Sequence, residues 1–148
     1  MTDIEERRGE NGAVVAALNQ ILELELAGVI RYVHYSFMIF GHSRIPIVGW
    51  LRAQADESLA HAILAGEHVT AMGGHPSLVI GELLDTRRQK VDEILNEALA
   101  HERLGLEAYV ALLKLVAGKN IMLEEYARMQ IAAEDQHQAE IRKMLRRG

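Results

Sequence analysis

Glutamate and histidine residues at helical spacing are the side chains of this sequence best suited to chemistry. Glu134 and His137 stand three positions apart in a helix-forming run near the end of the chain. That spacing places a carboxylate and an imidazole about 60° apart on one helical face, where both can bind a single metal ion. On an exposed face the same pair would be two solvated side chains. Here the surrounding positions form an apolar stripe at three- and four-residue spacing, so the pair is predicted to point inward, where unpaired charge is costly. The stripe comprises Leu123, Ala127, Gln130, Ile141 and Leu145.

The same pattern occurs in the first half of the chain. Glu25 and Glu102 each interrupt a predicted apolar stripe, and each is followed by a tyrosine seven positions later. The distances from Glu25 to Glu57 and from Glu102 to Glu134 are both 32 residues. The order Glu, Tyr, Glu, His therefore occurs twice, which indicates two related halves.

Four carboxylates and two imidazoles are thus predicted to meet at one level of the fold. They offer a mixed oxygen and nitrogen shell for two divalent ions, in which carboxylates bridge the ions and neutralise their charge. Iron is the leading candidate for this shell and manganese is the next, because zinc prefers a smaller tetrahedral set. The predicted ligands are Glu25, Glu57, His61, Glu102, Glu134 and His137.

Four long helices are predicted to position these ligands. The chain is rich in Ala, Leu and Glu and shows little strand alternation, which predicts an all-α fold. Asn11 and Asn120 are the expected N-caps of the first and fourth helices, and a Thr-x-x-Gln capping box at 86–89 is expected to open the third. The predicted spans are 12–40, 46–73, 87–117 and 121–145.

The lengths of the connections predict the topology. The first and third connections are only a few residues long, so each joins an antiparallel helical hairpin. Residues 73–86 can span roughly 45 Å if extended, which is about the length of one helix of the bundle. This length allows a full crossover, and hence an up-down-down-up bundle, but also a compact loop. Residues 1–148 are predicted to form one domain, with 1–11 as a flexible segment.

Composition narrows the class of protein. The 148 residues are 49% hydrophobic and 25% charged, as is typical of one soluble domain. The absence of cysteine excludes disulfides and thiolate metal sites. A net charge of −5 argues against nucleic acid as the main partner. A polar N-terminus and the lack of a long uncharged apolar run predict no signal peptide and no membrane partner, and hence a cytoplasmic protein.

With these ligands and helices, the sequence resembles the ferritin-like di-iron carboxylate proteins, and bacterioferritin most. In that family a lone Glu from each of two helices and a Glu-x-x-His from each of the other two form a ferroxidase site. The resemblance implies a protein that oxidises Fe(II) with dioxygen or peroxide and contributes to iron storage or detoxification. It covers nearly the whole chain and rests on Leu18, Asn19, Gln20, Glu25, Leu26, Tyr32, Glu102, Glu134 and His137.

The second helix departs from the pattern of the family. Glu57 and His61 are four positions apart, and Ser58 stands where a strict Glu-x-x-His would have its Glu. In one interpretation Glu57 bridges the metals, since positions four apart differ by only about 40° around a helix. In the other, Ser58 fills the slot and Glu57 orients an imidazole. The repeat spacing favours the first. The stripe predicted to face the core is Ile47, Trp50, Gln54, Glu57, His61, Leu64, His68 and Ala71.

Two further departures concern haem and assembly. The haem of the family is held by a Met close after the bridging Glu, whereas Leu59 and Ala60 follow here, so haem is not expected. Only 11 residues follow His137, which leaves no room for a fifth helix and puts a 24-subunit shell in question. A homo-oligomer is expected, as a dimer or a smaller cage. Its predicted contacts are Phe37, Met38, Phe40 and the Ala-rich face of the second helix.

Other functions are compatible with the same residues. One alternative is a different di-iron or di-manganese redox enzyme, such as a peroxidase or catalase, and another is a non-catalytic helical interaction module. Tyr32 and Tyr109 are interpreted first as core packing with satisfied hydroxyls. His68 is expected near solvent at the end of the bundle, and His101 is interpreted as structural or surface.

Overall fold

The computed structural model describes residues 2–147 as four helices, with no strand among those residues. The turns between α1 and α2 and between α3 and α4 are short, so the helices form two antiparallel hairpins. The predicted all-α four-helix bundle is confirmed. The helices are α1 (Asp3–Phe37), α2 (Arg44–Ala71), α3 (Val91–Val116) and α4 (Ile121–Leu145).

The segment between α2 and α3 runs along the outside of α1. Near its start, the Ser77 backbone N–H donates to Asn19 Oδ1 at 2.8 Å. Further on, the Glu82 carbonyl accepts from Arg31 Nη1 at 3.5 Å, three helical turns along α1. The connection is therefore the full-length crossover, and the bundle is up-down-down-up.

The first helix begins earlier than predicted. Residues 3–11, expected to be flexible, are helical although exposed, and Met1 lies outside the described residues. The reason is a capping box, in which Thr2 Oγ1 accepts from the Glu5 N–H and Glu5 Oε2 accepts from the Thr2 N–H. The far end of α1 is also shorter than predicted, at Phe37 instead of residue 40.

The predicted capping box at 86–89 does not form. Arg87 has a φ of 56°, a left-handed conformation that no residue inside an α-helix adopts, so α3 starts only at Val91. Its N-cap, Lys90, makes no side-chain capping bond. By contrast, the cap of α4 is as predicted, because Asn120 Oδ1 accepts from the Leu123 N–H at 3.1 Å.

The core consists of two apolar clusters with a polar layer between them. One cluster surrounds Leu18 of α1 and Leu112 of α3. The other surrounds Tyr32 of α1 and Leu95 of α3. The buried carboxylates lie at the level that separates the two clusters, so the apolar packing on both sides fixes their height in the bundle.

The face of α2 that lies against α1 is not the predicted one. Glu57 is only half-buried and Leu64 is 44% exposed, whereas small residues make the contact with α1. Alanine allows close approach of two helices, whereas Leu59, Ile63 and Leu64 of α2 are exposed. The buried positions of α2 are Val48, Leu51, Ala55, Ser58, His61, Ala62, Ala65 and Val69.

The first helix is long and apolar enough to cross a membrane by length and composition alone. One such helix is weak evidence for a membrane span, because the core helix of a soluble bundle meets the same criterion. In this fold α1 carries a buried glutamate, Glu25, and a buried arginine, Arg31, on the side that faces the other helices.

Candidate metal centre

Two groups of three side chains face each other in the polar layer. Glu25 of α1, His61 of α2 and Glu134 of α4 form one group, in which the possible ligand atoms lie within 4.8 Å of one another. Glu102 of α3, Glu134 and His137 form the second group under the same limit. Glu134 belongs to both groups, so a single carboxylate is within reach of two neighbouring ions.

His61 connects three of the predicted ligands. Its Nδ1 atom lies 3.2 Å from Glu25 Oε2 and 3.8 Å from Glu134 Oε1. Its Nε2 atom lies 3.9 Å from Glu57 Oε1. The imidazole thus stands among carboxylates contributed by α1, α2 and α4.

Glu57 lies outside both groups, on the open side between α2 and α4. Its side chain is 40% exposed, and its Oε2 atom is 2.8 Å from His137 Nε2. The rings of His61 and His137 are stacked with centroids 6.4 Å apart, and the Glu57 carboxylate contacts both. Ser58 lies on another side of α2, where a Cβ atom on Gly28 of α1 would be 3.0 Å from its hydroxyl oxygen.

Glu102 has two fixed neighbours. The Tyr32 hydroxyl donates a hydrogen bond to Glu102 Oε1, which links α1 to α3. Gln138 Nε2 donates to the Glu102 backbone carbonyl at 3.4 Å, which links α4 to the same turn of α3. One oxygen of the Glu102 carboxylate is therefore oriented by Tyr32.

The protonation of the cluster reflects crowded carboxylates. Burial raises the pKa of Glu25, with a partial offset from His61. Burial, with the neighbouring Glu102, raises the pKa of Glu134 well above its ordinary value. Burial also pushes the pKa of Glu102 upward, but hydrogen bonds from Glu134 and Tyr32 bring it below its ordinary value. Burial lowers the pKa of His61, yet the bond to Glu25 more than offsets this and raises it. Protons thus compensate charge that a cation can compensate instead.

The donor set fits two divalent cations. Glu134 Oε2 is buried and accepts no hydrogen bond within residues 2–147, an arrangement that costs free energy unless another partner is present. Glu25 Oε2 is also buried, with the His61 imidazole beside it at 3.2 Å. A metal ion is such a partner for a carboxylate oxygen. Carboxylate and imidazole ligands are compatible with iron and manganese, whereas zinc prefers a smaller tetrahedral set.

The structure brings five of the six predicted ligands into the two groups and leaves Glu57 beside them. It also buries side chains that the sequence interpretation did not connect with the centre. His101, adjacent to Glu102, is only 8% exposed and contacts α1, and Arg31 of α1 is equally buried. The sequence signal that could have identified Arg31 is a charged residue between Gly28 and Tyr32, which are both buried positions of α1.

Tyrosine hydroxyls differ in how well they are satisfied. The hydroxyl of Tyr32 is bonded, as interpreted, whereas the buried hydroxyls of Tyr109 and Tyr126 have no hydrogen-bond partner within residues 2–147. His68 is half-buried and packs against Tyr126, with ring centroids 4.3 Å apart and ring planes tilted by 46°. Tyr109 and Tyr126 belong to the apolar cluster around Leu18 and Leu112.

A family model of the ferritin-like domain matches residues 15–148. No curated protein sequence gives a significant match. Among solved structures, the chain is similar to a ferritin-like di-iron carboxylate protein from Bacillus anthracis str. Ames, with 22% identity, a TM-score of 0.86, and coverage of 99% of this chain and 100% of that one. It is also similar to a dodecameric thioferritin, a bacterioferritin-related protein from Bacteroides fragilis, with 19% identity, a TM-score of 0.81, and coverage of 91% and 85%.

A third similar structure is the bacterioferritin of Rhodobacter capsulatus, which was described with a metal-free dinuclear site and haem iron. Its identity is 20% and its TM-score 0.79, with coverage of 89% of this chain and 82% of that one. At these identities the structural likeness establishes the ferritin-like fold. Together with the family match, it confirms the resemblance predicted from the sequence.

Proposed function

The chain belongs to the ferritin-like domain family, and on this premise we propose that it is a bacterioferritin-like di-iron protein that binds two Fe(II) ions and oxidises them. The oxidant is dioxygen or peroxide, and the role is iron detoxification or storage. The observation that carries the proposal is Glu134, which is shared by two groups of ligands and has a buried oxygen that accepts no hydrogen bond within residues 2–147. Manganese is the second candidate metal.

In this proposal each ion has its own terminal ligands. Glu25 and His61 would hold one ion, and Glu102 and His137 would hold the other. Glu134, which belongs to both groups, would be shared by the two ions. Glu57 would supply a further shared carboxylate from the open side between α2 and α4, where it contacts both imidazoles.

When bound, the two ferrous ions each supply one electron to the oxidant. The residues of the chain provide position and charge for that reaction. Tyr32 fixes one oxygen of Glu102 and so orients the carboxylate, which belongs to the second group of ligands. Bound cations would favour loss of the Glu134 proton, because their positive charge offsets the burial and the neighbouring carboxylates that raise its pKa. The apolar clusters above and below cover the layer at both ends.

The setting of this activity is also proposed. The fold and its relatives are compatible with a homo-oligomer in the cytoplasm, and storage of a mineral requires that the oligomer form a cage. Haem is not part of the proposal, since Leu59 occupies the position after Ser58 and its side chain is 44% exposed on the outer face of α2.

The assignment is tested by the initial rate of Fe(II) oxidation in air, at low and at high ratios of Fe(II) to subunit. The wild-type protein should oxidise Fe(II) well above the rate in buffer. Glu134→Gln should abolish binding of at least one ion, because it removes the negative charge of the carboxylate that belongs to both groups of ligands. Asp135→Asn, at the exposed neighbouring position, is the matched control and should leave the rate unchanged. Wild-type oxidation no faster than in buffer would refute the ferroxidase assignment and leave a structural bundle.

A further inference from the structure

His101 is buried beside the centre but belongs to neither group of ligands. It directly precedes Glu102 in α3, is 8% exposed, and extends towards α1. Its Nε2 atom lies 3.1 Å from the Leu24 carbonyl oxygen, and its Nδ1 atom lies 3.3 Å from Arg31 Nη1. The imidazole therefore contacts α1 at two points that are seven residues, or two helical turns, apart.

The two contacts determine which nitrogen of His101 carries the proton. A guanidinium group only donates hydrogen bonds, so Nδ1 of His101 must accept from Arg31. Nε2 then carries the hydrogen and donates it to the Leu24 carbonyl. The neutral imidazole of His101 thus accepts one hydrogen bond, from Arg31, and donates the other, to Leu24.

Arg31 is itself held in place. Its Nη2 atom donates to the Tyr35 hydroxyl at 3.2 Å, and that hydroxyl donates to Glu97 Oε2 of α3 at 3.0 Å. Its Nη1 atom also reaches the Glu82 carbonyl of the crossover at 3.5 Å. Arg31 thus connects α1, α3 and the crossover, and its guanidinium cannot move without breaking contacts to all three.

A close approach of the helices makes these bonds possible. A Cβ atom on Gly28 would lie 3.3 Å from His101 Nε2 and 3.0 Å from Ser58 Oγ, which is tighter than ordinary van der Waals contact. Gly28 lies midway between the two α1 contacts of His101. The missing side chain lets α2 and α3 both approach α1 at the level of the carboxylates.

The geometry points to His101 and Arg31 as positioning residues, which hold α3 on α1 in the register that brings Glu102 to Tyr32 and to the metal site. The direct link is sequence adjacency, because Glu102 follows His101 and accepts from Tyr32 of the same α1. Neither residue touches an ion in this proposal. Its consequence for metal binding rests on the proposed function, whereas its consequence for the metal-free fold does not.

Cobalt(II), which is stable in air, serves as the probe of the site. His101→Phe keeps the ring and loses both hydrogen bonds, so Co(II) affinity measured by visible absorbance should fall about 10- to 100-fold, as for other residues that orient ligands. His101→Asn can still accept from Arg31, and His101→Gln can still donate to Leu24, so both should regain part of the loss. His42→Phe, in the exposed turn before α2, is the control and should bind as wild type. Wild-type affinity in His101→Phe overturns the inference.

A second measurement uses the metal-free protein and distinguishes positioning from packing. If His101 places Glu102 against Tyr32, then His101→Phe and Tyr32→Phe each disrupt the same arrangement. The double variant should lose less free energy of unfolding than the sum of the two single losses. Strictly additive losses overturn the inference. Failure of the wild type to bind Co(II) counts against the proposed function, while this cycle still decides the role of His101.

Discussion

Glu134 is a buried glutamate that lies close to other carboxylates. Its side chain is 1% exposed, and the charges of Glu102, Glu25 and Glu57 all act on it. Without a cation, the least costly state keeps it protonated. The same side chain is therefore an acid in the metal-free protein and a shared anion in the proposed metal-bound form.

The raised pKa of Glu134 predicts how stability depends on pH in the metal-free protein. Because the folded-state pKa lies above the ordinary value of 4.5, protonation of Glu134 stabilises the fold. This stabilisation is complete below the unfolded pKa and is lost as pH rises through the folded pKa. The free energy of unfolding should thus decrease from about pH 6 to about pH 9. Glu134→Gln should raise it at the higher pH by on the order of 1–3 kcal/mol, since like charges are removed.

Denaturant titrations of metal-free protein at both pH values measure this effect. Asp135→Asn serves as the control, because it removes the same formal charge from an exposed position. An equal response of the two variants would mean that net charge, and not the buried carboxyl, governs the pH dependence.

Glu57 and Ser58 compete for the role of the ligand from α2, and two alanine variants separate them. Glu57 contacts both imidazoles, whereas Ser58 contacts α1 at Gly28. We expect Glu57→Ala to reduce the rate of Fe(II) oxidation by more than the about 10- to 100-fold typical of a residue that only orients a ligand. Ser58→Ala should have little effect. Excess Fe(II) should not restore Glu57→Ala, because Glu134 alone then screens the two cations from each other.

Initial oxidation rates for wild type and both variants, at low and high Fe(II), give this ranking. Recovery of Glu57→Ala at high Fe(II), or a larger loss in Ser58→Ala, would assign the slot to Ser58 and leave Glu57 as the residue that orients His137.

At the scale of the elements, α2 shows how packing chooses a helical face. Both the predicted stripe and the observed one have three- and four-residue spacing, so periodicity alone does not separate them. Ala55, Ala62 and Ala65 lie against α1 because small side chains permit close approach, and Leu59 and Ile63 face outward. The predicted stripe therefore lies next to the face of α2 that packs on α1. From this position Glu57 and His61 reach the candidate metal centre.

Helix caps provide a prediction that is independent of the metal. Asn120 caps α4 through its side chain, whereas Lys90 occupies the same position before α3 without a side-chain bond. Asn120→Ala should reduce the free energy of unfolding by about 0.5–2 kcal/mol. Lys90→Ala is the matched control and should change it by less than about 0.5 kcal/mol. Metal stoichiometry should be unchanged in both, as measured by metal analysis after dialysis.

Equal losses from the two cap variants would show that the Asn120 bond does not contribute to stability. A change in metal stoichiometry in Asn120→Ala would show that the start of α4 is coupled to Glu134, more than three turns away.

At the scale of the whole molecule, α1, α2 and the crossover leave an apolar surface. Leu59 and Ile63 of α2 are 44% and 57% exposed and border a groove of about 360 Å³. Leu78 and Val79, in the crossover, are 92% and 62% exposed. Apolar patches of this kind mark contact sites, and a symmetric contact between two copies of the chain would bury it.

Ile63→Glu should therefore shift the protein to a smaller oligomer. A charge placed at the centre of a symmetric interface meets its own copy, which adds like-charge repulsion to the loss of apolar burial. Light scattering after size exclusion measures the mass. Met129→Glu, on α4 and 68% exposed, is the control and should keep the wild-type mass. A wild-type monomer, or an unchanged mass in Ile63→Glu, would contradict this prediction.

From the sequence alone, the fold class and the number of helices were predicted correctly. Of the six metal ligands that were also predicted, the structure brings five together and leaves Glu57 beside them. These predictions depend on local spacing. Glu134 and His137 share a face in any α-helix, and Asn120 caps α4 by accepting from the backbone N–H of Leu123, three positions later. The apolar stripes around Glu25 and Glu102 likewise predicted their burial, because a helix in a bundle must cover its apolar side.

Features that depend on contacts between distant residues became clear only in the folded structure. The crossover runs along α1, where Asn19 contacts residues 75 and 77 and Arg31, three turns further on, contacts Glu82, whereas chain length alone allowed a compact loop as well. The rotation of α2 follows from how closely Ala side chains let it approach α1. The role proposed for His101 depends on Arg31, 70 residues away, and no local pattern encodes that pairing. Helical periodicity specifies which side chains share a face, whereas packing specifies which face meets which neighbour.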